Sequence, residues 1–106
     1  ILSHDPEVQQ SYENDPLGVA GSTAGLGKAL FAEMDLVPTQ ISKIRVPTYV
    51  LHGAADKLVP PHFSEPLKAL PNVTYRSWEG LRHECFNEFQ KDDVLSEITT
   101  WLTTHL

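Results

Sequence analysis

Residues 46–60 read VPTYVLHGAADKLVP. Val46 to Gly53 is a short apolar run, rich in β-branched and aromatic side chains and ended by glycine, which is the pattern of a buried strand. The small residues Gly53, Ala54 and Ala55 then let the backbone turn closely, and one carboxylate, Asp56, stands just beyond, ahead of the apolar Leu58 and Val59. Downstream, PPHFSEPLKAL (60–70) reads as a helix started by Pro60 and Pro61, with Pro66 forcing a kink or a late start. PNVTYRSW (71–78) alternates Val73, Tyr75 and Ser77 against Thr74, Arg76 and Trp78 and reads as a second strand. Residues 91–106 are the clearest helix: Asp92 and Asp93 suit its N-terminus, and Val94, Leu95, Ile98, Trp101 and Leu102 share one face. Strand, helix, strand, helix is a βαβα unit, which builds a parallel sheet covered by helices.

Two parallel strands alone make a poor sheet, because parallel sheets are buried on both faces and each strand here keeps an unpaired edge. The expectation is therefore an α/β protein of which this chain is the C-terminal part. The start ILSHDPEVQQ, without Met, basic n-region or apolar h-region, fits that expectation. Residues 1–43 read as helices and loops. Asp5 is an N-cap with Pro6 at the first helical position, Asp15-Pro16 ends that helix, and Ser22 or Thr23 caps the next. Leu26, Ala29, Leu30 and Met34 give that second helix an apolar face, and VPTQISKI (37–44) reads as a turn with a short helix.

At 106 residues the chain is one small domain at most, long enough for one core. It carries 14 acidic and 8 basic residues for a net charge of −6, which argues against nucleic-acid binding. The single cysteine, Cys85, excludes an internal disulfide. No apolar stretch of about 18 residues is present to span a membrane.

Asp56 lies where open α/β sheets place working residues, past the C-terminal end of a strand. A turn-capping aspartate would occupy the same position. His83, in GLRHE (80–84), follows the second strand in the equivalent loop, so the two side chains can meet. A carboxylate accepting from one imidazole nitrogen fixes the tautomer and leaves the other nitrogen as a base. His52, four residues before Asp56, sits at a strand end, where helical metal-ligand geometry fails; a backbone hydrogen bond is expected for it. His4, His62 and His105 are expected in solvent. Cys85 is expected as a small buried hydrophobe, and no Cys/His spacing supports a metal. GSTAGLGKAL (21–30) misses the phosphate-loop spacing and lacks a preceding strand. None of the seven serines has glycine at both positions two residues away, so no nucleophile elbow is present.

The chain resembles the C-terminal part of an α/β-hydrolase of the monoacylglycerol lipase and lysophospholipase group. The resemblance is carried by YENDPLG (12–18), KIRVPTYVLHGAADKLVPP (43–61) and GLRHECFNE (80–88), and it covers nearly all of the chain. Two positions depart from it: Cys85 replaces a larger apolar residue, and Phe89 stands where proline often follows. The resemblance implies part of a helical cap over 1–43, and over 44–106 the last two parallel strands with their flanking helices. It implies Asp56 as triad acid, His83 as general base, Leu58 and Val59 at the acyl site, no cofactor, and a serine and oxyanion hole upstream, so that the fragment alone is inactive. It also implies a lipid ester substrate, membrane-surface contact through the cap, the rest of the fold as partner, and a cytoplasmic or peripherally membrane-associated protein. Other α/β-hydrolase chemistries (peptidase, epoxide hydrolase, dehalogenase) and a non-catalytic assembly module stay open.

Overall fold

The computed structural model describes all 106 residues. Helix α1 spans Pro6–Glu13 and α2 spans Ala24–Gln40; strand β1 (Thr48–Gly53) and strand β2 (Val73–Trp78) follow, and helix α3 runs Lys91–His105. The strands pair in parallel and in register, Thr48 opposite Val73 through Gly53 opposite Trp78.

The caps are those the sequence announces. The Asp5 carboxylate accepts from the Glu7 amide at 2.9 Å with Pro6 in the first turn, and Thr23, rather than Ser22, accepts from the Leu26 amide at 3.1 Å. Two segments differ from expectation. Helix α2 runs through Pro38 to Gln40 and is followed by a single 3₁₀ turn, Ile41–Lys43. Pro38 has no amide to return to the Met34 carbonyl, so the last turn of α2 lacks that one hydrogen bond. Conversely, residues 60–70 form no α-helix but two short 3₁₀ segments, Pro61–Phe63 and Glu65–Ala69, parted at Ser64. Pro66 has no amide to donate back, so an α-helix over 60–70 would lose the bond from residue 66 to residue 62 in the middle of a short segment.

The two sheet faces carry different work. Tyr49, Leu51, Thr74, Arg76 and Trp78 share the face toward α3. There Glu97 accepts from the Tyr49 hydroxyl and, at 3.2 Å, from Arg76 Nε, while Trp101 Nε1 donates to Thr74 Oγ1 at 3.0 Å. Burial, and then the Glu97 carboxylate, push the Tyr49 phenol above its ordinary range. His52 and Tyr75 share the opposite face with Ser64.

Length alone allows a full core, but only 8 of the 106 residues are buried, and the apolar cluster is Leu81, Cys85 and Val94, with Leu51, Trp78 and Ile98 against it. The apolar face expected of α3 is buried fully only at Val94; Leu95 and Leu102 stay nearly half exposed, and the apolar residues of α2 are exposed. A two-stranded parallel sheet has no further strands or helices to close over these faces.

The core concentrates where the loops after β1 and β2 meet. The amides of Ala54 and Ala55 donate to the carbonyls of Trp78 (2.8 Å) and Leu81 (2.9 Å). Gly53 makes this approach possible: a Cβ there would be driven into the carbonyl oxygens of Arg82 and Leu81 and would lie 2.7 Å from the Leu81 carbonyl carbon. Gly53→Ala is expected to destabilise the protein by about 3 kcal/mol or more, measured as a lowered urea midpoint; an unchanged midpoint would show that the two loops are not this tightly apposed.

Candidate active site

Asp56 is 6% exposed, and its carboxylate is almost fully used. Oδ1 accepts from the amides of Leu58 (2.8 Å) and Val59 (2.9 Å), and Oδ2 accepts from His83 Nδ1 at 2.9 Å. The turn-capping and histidine-orienting roles open at the sequence level are therefore both realised, one on each oxygen. Burial works to raise the Asp56 pKa, but the Val59 amide, His83 and the Leu58 amide together outweigh it and hold the carboxyl below its usual range. An ionised carboxylate only accepts, so His83 carries its proton on Nδ1. Nε2 makes no hydrogen bond within the chain and belongs to a side chain about one-third exposed; in the neutral ring it is the nitrogen that carries the lone pair. A group so arranged can take a proton from a hydroxyl presented to it.

His83, Asp56, His52, Leu51, Val59 and Cys85 line an open cleft of about 190 Å³. Val59 also lines a second hollow of about 360 Å³, whose other walls are Met34, Val37, Leu58 and Phe63, all apolar. The structure thus brings Asp56 and His83 into contact and sets Leu58 and Val59 in an apolar hollow adjoining them, beneath α2. Cys85 is buried; burial, and then the charge of Glu88, push its thiol up, which suits packing rather than nucleophilic attack. No cluster of three or more potential metal ligands forms.

His62 and His105 are exposed, as expected, against Phe63 and Trp101 respectively. His4 is not simply solvated: its ring Nδ1 lies 3.1 Å from the Glu88 carboxylate. Glu88 is the polar residue that sequence reasoning missed. It is 1% exposed and accepts from the Arg82 amide (2.8 Å), the His4 amide (2.9 Å) and the Ser3 hydroxyl (3.1 Å). Arg82 Nη1 donates to the Ser3 carbonyl at 2.8 Å, and the Glu84 amide donates to the Leu2 carbonyl at 2.8 Å. These bonds tie the loop bearing His83 to residues 2–4, across some eighty positions of sequence. Only the carboxylate of the FNE stretch hinted at it; its partners lie too far along the chain to be read locally.

Burial would raise the Glu88 pKa, but the amides of His4 and Arg82, then the His4 ring and Ser3, reverse the effect and hold it below the ordinary value. A carboxylate depressed in the folded state adds stability above its unfolded pKa and loses that contribution as pH falls through the folded value. Stability is thus expected to be fully supported by Asp56 and Glu88 near neutrality and to fall progressively below about pH 4.5. Glu88→Gln should cost about 2–3 kcal/mol at pH 7, because its amide group would face donors, and should flatten the acid limb. Urea unfolding from pH 7 to pH 3 measures both; an unchanged acid limb in Glu88→Gln would contradict the assignment.

A family model described as serine aminopeptidase, S33, a hydrolase family, matches residues 1–90. The chain is 35% identical over 109 residues to a monoacylglycerol lipase of Mycolicibacterium smegmatis, covering 99% of this chain and 39% of the relative. It is 32% identical over 101 residues to phospholipase YtpA of Bacillus subtilis, covering 89% of this chain and 38% of the relative. The crystal structure of a monoacylglycerol lipase from Paleococcus ferrophilus superposes with a TM-score of 0.89 at 28% identity, over 99% of this chain and 42% of that one. The chain therefore spans about two-fifths of the length of these relatives. No helix is long and apolar enough to cross a membrane.

Proposed function

We propose, from the premise that this chain belongs to the serine aminopeptidase S33 family and forms the C-terminal part of an α/β-hydrolase fold, that it supplies the acid and base of a carboxylic ester hydrolase acting on monoacylglycerols or lysophospholipid-like esters. The observation that carries this reading is the 2.9 Å bond from His83 Nδ1 to a buried Asp56 carboxylate, in a cleft that shares Val59 with an apolar hollow. Asp56 is the acid and His83 the base. The nucleophilic serine and the oxyanion-hole amides are contributed by sequence upstream of Ile1, in the chain order serine, aspartate, histidine. Residues 1–43 are part of the cap and residues 44–106 part of the hydrolase core, whose remaining strands cover the sheet edges.

The mechanism follows from the geometry. The serine hydroxyl attacks the ester carbonyl while His83 Nε2 takes its proton, and the Asp56 carboxylate stabilises the imidazolium so formed. His83 then returns that proton to the departing alcohol as the tetrahedral intermediate collapses to an acyl-enzyme. Water, deprotonated by the same nitrogen, releases the acid. Leu58 and Val59, with Met34, Val37 and Phe63, receive the acyl chain. The family description names an aminopeptidase; the wholly apolar lining of the hollow that adjoins the pair favours an acyl chain instead.

In the full-length protein, Asp56→Asn is expected to lower kcat for p-nitrophenyl butyrate and for a monoacylglycerol by about 10³–10⁴-fold with folding intact, and His83→Ala to lower it at least as far. The isolated 106-residue chain is expected to hydrolyse neither ester. Near-normal turnover by either full-length variant, or His83-dependent turnover by the isolated chain, would overturn the reading.

A further inference from the structure

Asp56 has a histidine on each side. His52, at the end of β1, has a side chain only 11% exposed. Its Nε2 lies 2.8 Å from the Val59 carbonyl oxygen and 3.3 Å from Asp56 Oδ2. A carbonyl only accepts, so this Nε2 carries a proton whatever the charge of the ring. Oδ2 therefore accepts one imidazole hydrogen bond, from His83, and has the Nε2 edge of His52 beside it at 3.3 Å, the proton of that nitrogen being given to the Val59 carbonyl.

The far side of the His52 ring is equally constrained. Ser64 Oγ lies 2.7 Å from His52 Nδ1 and 2.7 Å from the Tyr75 hydroxyl. With His52 neutral, Tyr75 donates to Ser64 and Ser64 donates to Nδ1. With His52 protonated, Nδ1 donates to Ser64, whose hydroxyl turns to the Pro61 carbonyl, 3.1 Å away. In both states the ring plane is held from both ends and the Nε2 proton keeps its direction. Three parts of the fold build this device: β1, the break between the two 3₁₀ segments, and β2.

Its effect falls selectively on one atom. The Leu58 and Val59 amides already fix Oδ1. His52 stands beside only Oδ2, the oxygen that His83 uses, where its positive ring edge at 3.3 Å limits rotation of the carboxylate and offsets part of its negative charge.

We propose that His52 is a positioning residue for the acid–base pair: its Nε2 edge, fixed by Val59, Ser64 and Tyr75 at 3.3 Å from Asp56 Oδ2, keeps that oxygen in line with His83 and offsets part of its negative charge. The proposal rests on reading His83 as the base. The titratable groups around the cleft are His52, Asp56, His83 and Cys85, with Tyr75 beyond Ser64. Removing the His52 ring edge leaves more charge on Oδ2 for the His83 imidazolium, so the His83 midpoint should move to higher pH, while the looser carboxylate orients the base less well.

The test compares His52→Asn, whose amide still reaches Ser64 but stops short of Asp56, with His52→Gln, whose amide nitrogen extends toward the place of Nε2. In the full-length protein His52→Asn is expected to lower kcat about tenfold with KM within about twofold, the scale of one close electrostatic contact with a part-buried carboxylate. The midpoint of His83, followed by the NMR titration of its ring protons, should move to higher pH. His52→Gln should return both quantities toward wild type. Equal behaviour of the two variants, or an unmoved His83 titration in His52→Asn, would overturn the proposal. Hydrolysis that survives His83→Ala would instead overturn the ester-hydrolase reading, and the NMR titration would still report on the coupling of the two histidines through Asp56. Should His52→Asn fail to fold, Ser64→Ala, which releases Nδ1, is expected to shift the His83 midpoint in the same direction, and no shift there would equally overturn it.

Discussion

The bond between His83 and Asp56 spans two loops that share no local sequence, and it exists because β1 and β2 run parallel and in register. Strands so paired end at the same edge, Gly53 opposite Trp78, and deliver their following loops to one place. The approach is then closed by backbone: the Ala54 and Ala55 amides bond to the second loop, and Gly53 offers no side chain to hold it off. Once the loops are this close, a carboxylate three residues past one strand and an imidazole five residues past the other are within reach.

Around that bond the polar groups are organised in two supports. On one side, two loop amides and His52 surround the Asp56 carboxylate. On the other, buried Glu88 gathers the Arg82 and His4 amides and the Ser3 hydroxyl, so the loop carrying His83 is tied to residues 2–4. Each carboxylate is buried only because donors meet it; unpaired, either would cost more than the thin apolar cluster of Leu81, Cys85 and Val94 could offset. The region round the pair is thus the most tightly bonded part of a chain whose outer faces remain largely exposed.

Much of this is legible in the sequence because it is local. The Asp5-Pro6 cap, the two strands, the amphipathic period of residues 91–106 and the matching positions of Asp56 and His83 beyond their strands all depend on neighbours a few residues away. The misreadings have physical causes of the same kind. Pro38 costs the long helix α2 one hydrogen bond in its last turn without ending it, whereas Pro66 falls in the middle of a segment too short to bear the loss. The contacts of His4 and Glu88 join residues more than eighty positions apart, and neither periodicity nor capping rules speak at that range. His52 was read correctly as a strand-end residue bonded to backbone; its second contact depends on how the 3₁₀ segments fold back over the sheet, which the prolines obscure.

The proposed chemistry requires His83, aligned by Asp56, to act as the base for a serine outside these residues. A crystal structure of the full-length protein inactivated with an alkyl fluorophosphonate tests it most directly. The account predicts a phosphonylated serine whose Oγ lies about 3 Å from His83 Nε2, with Nδ1 still bonded to Asp56. A phosphonylated residue attended by a different histidine, or no phosphonylated residue at all, would contradict it.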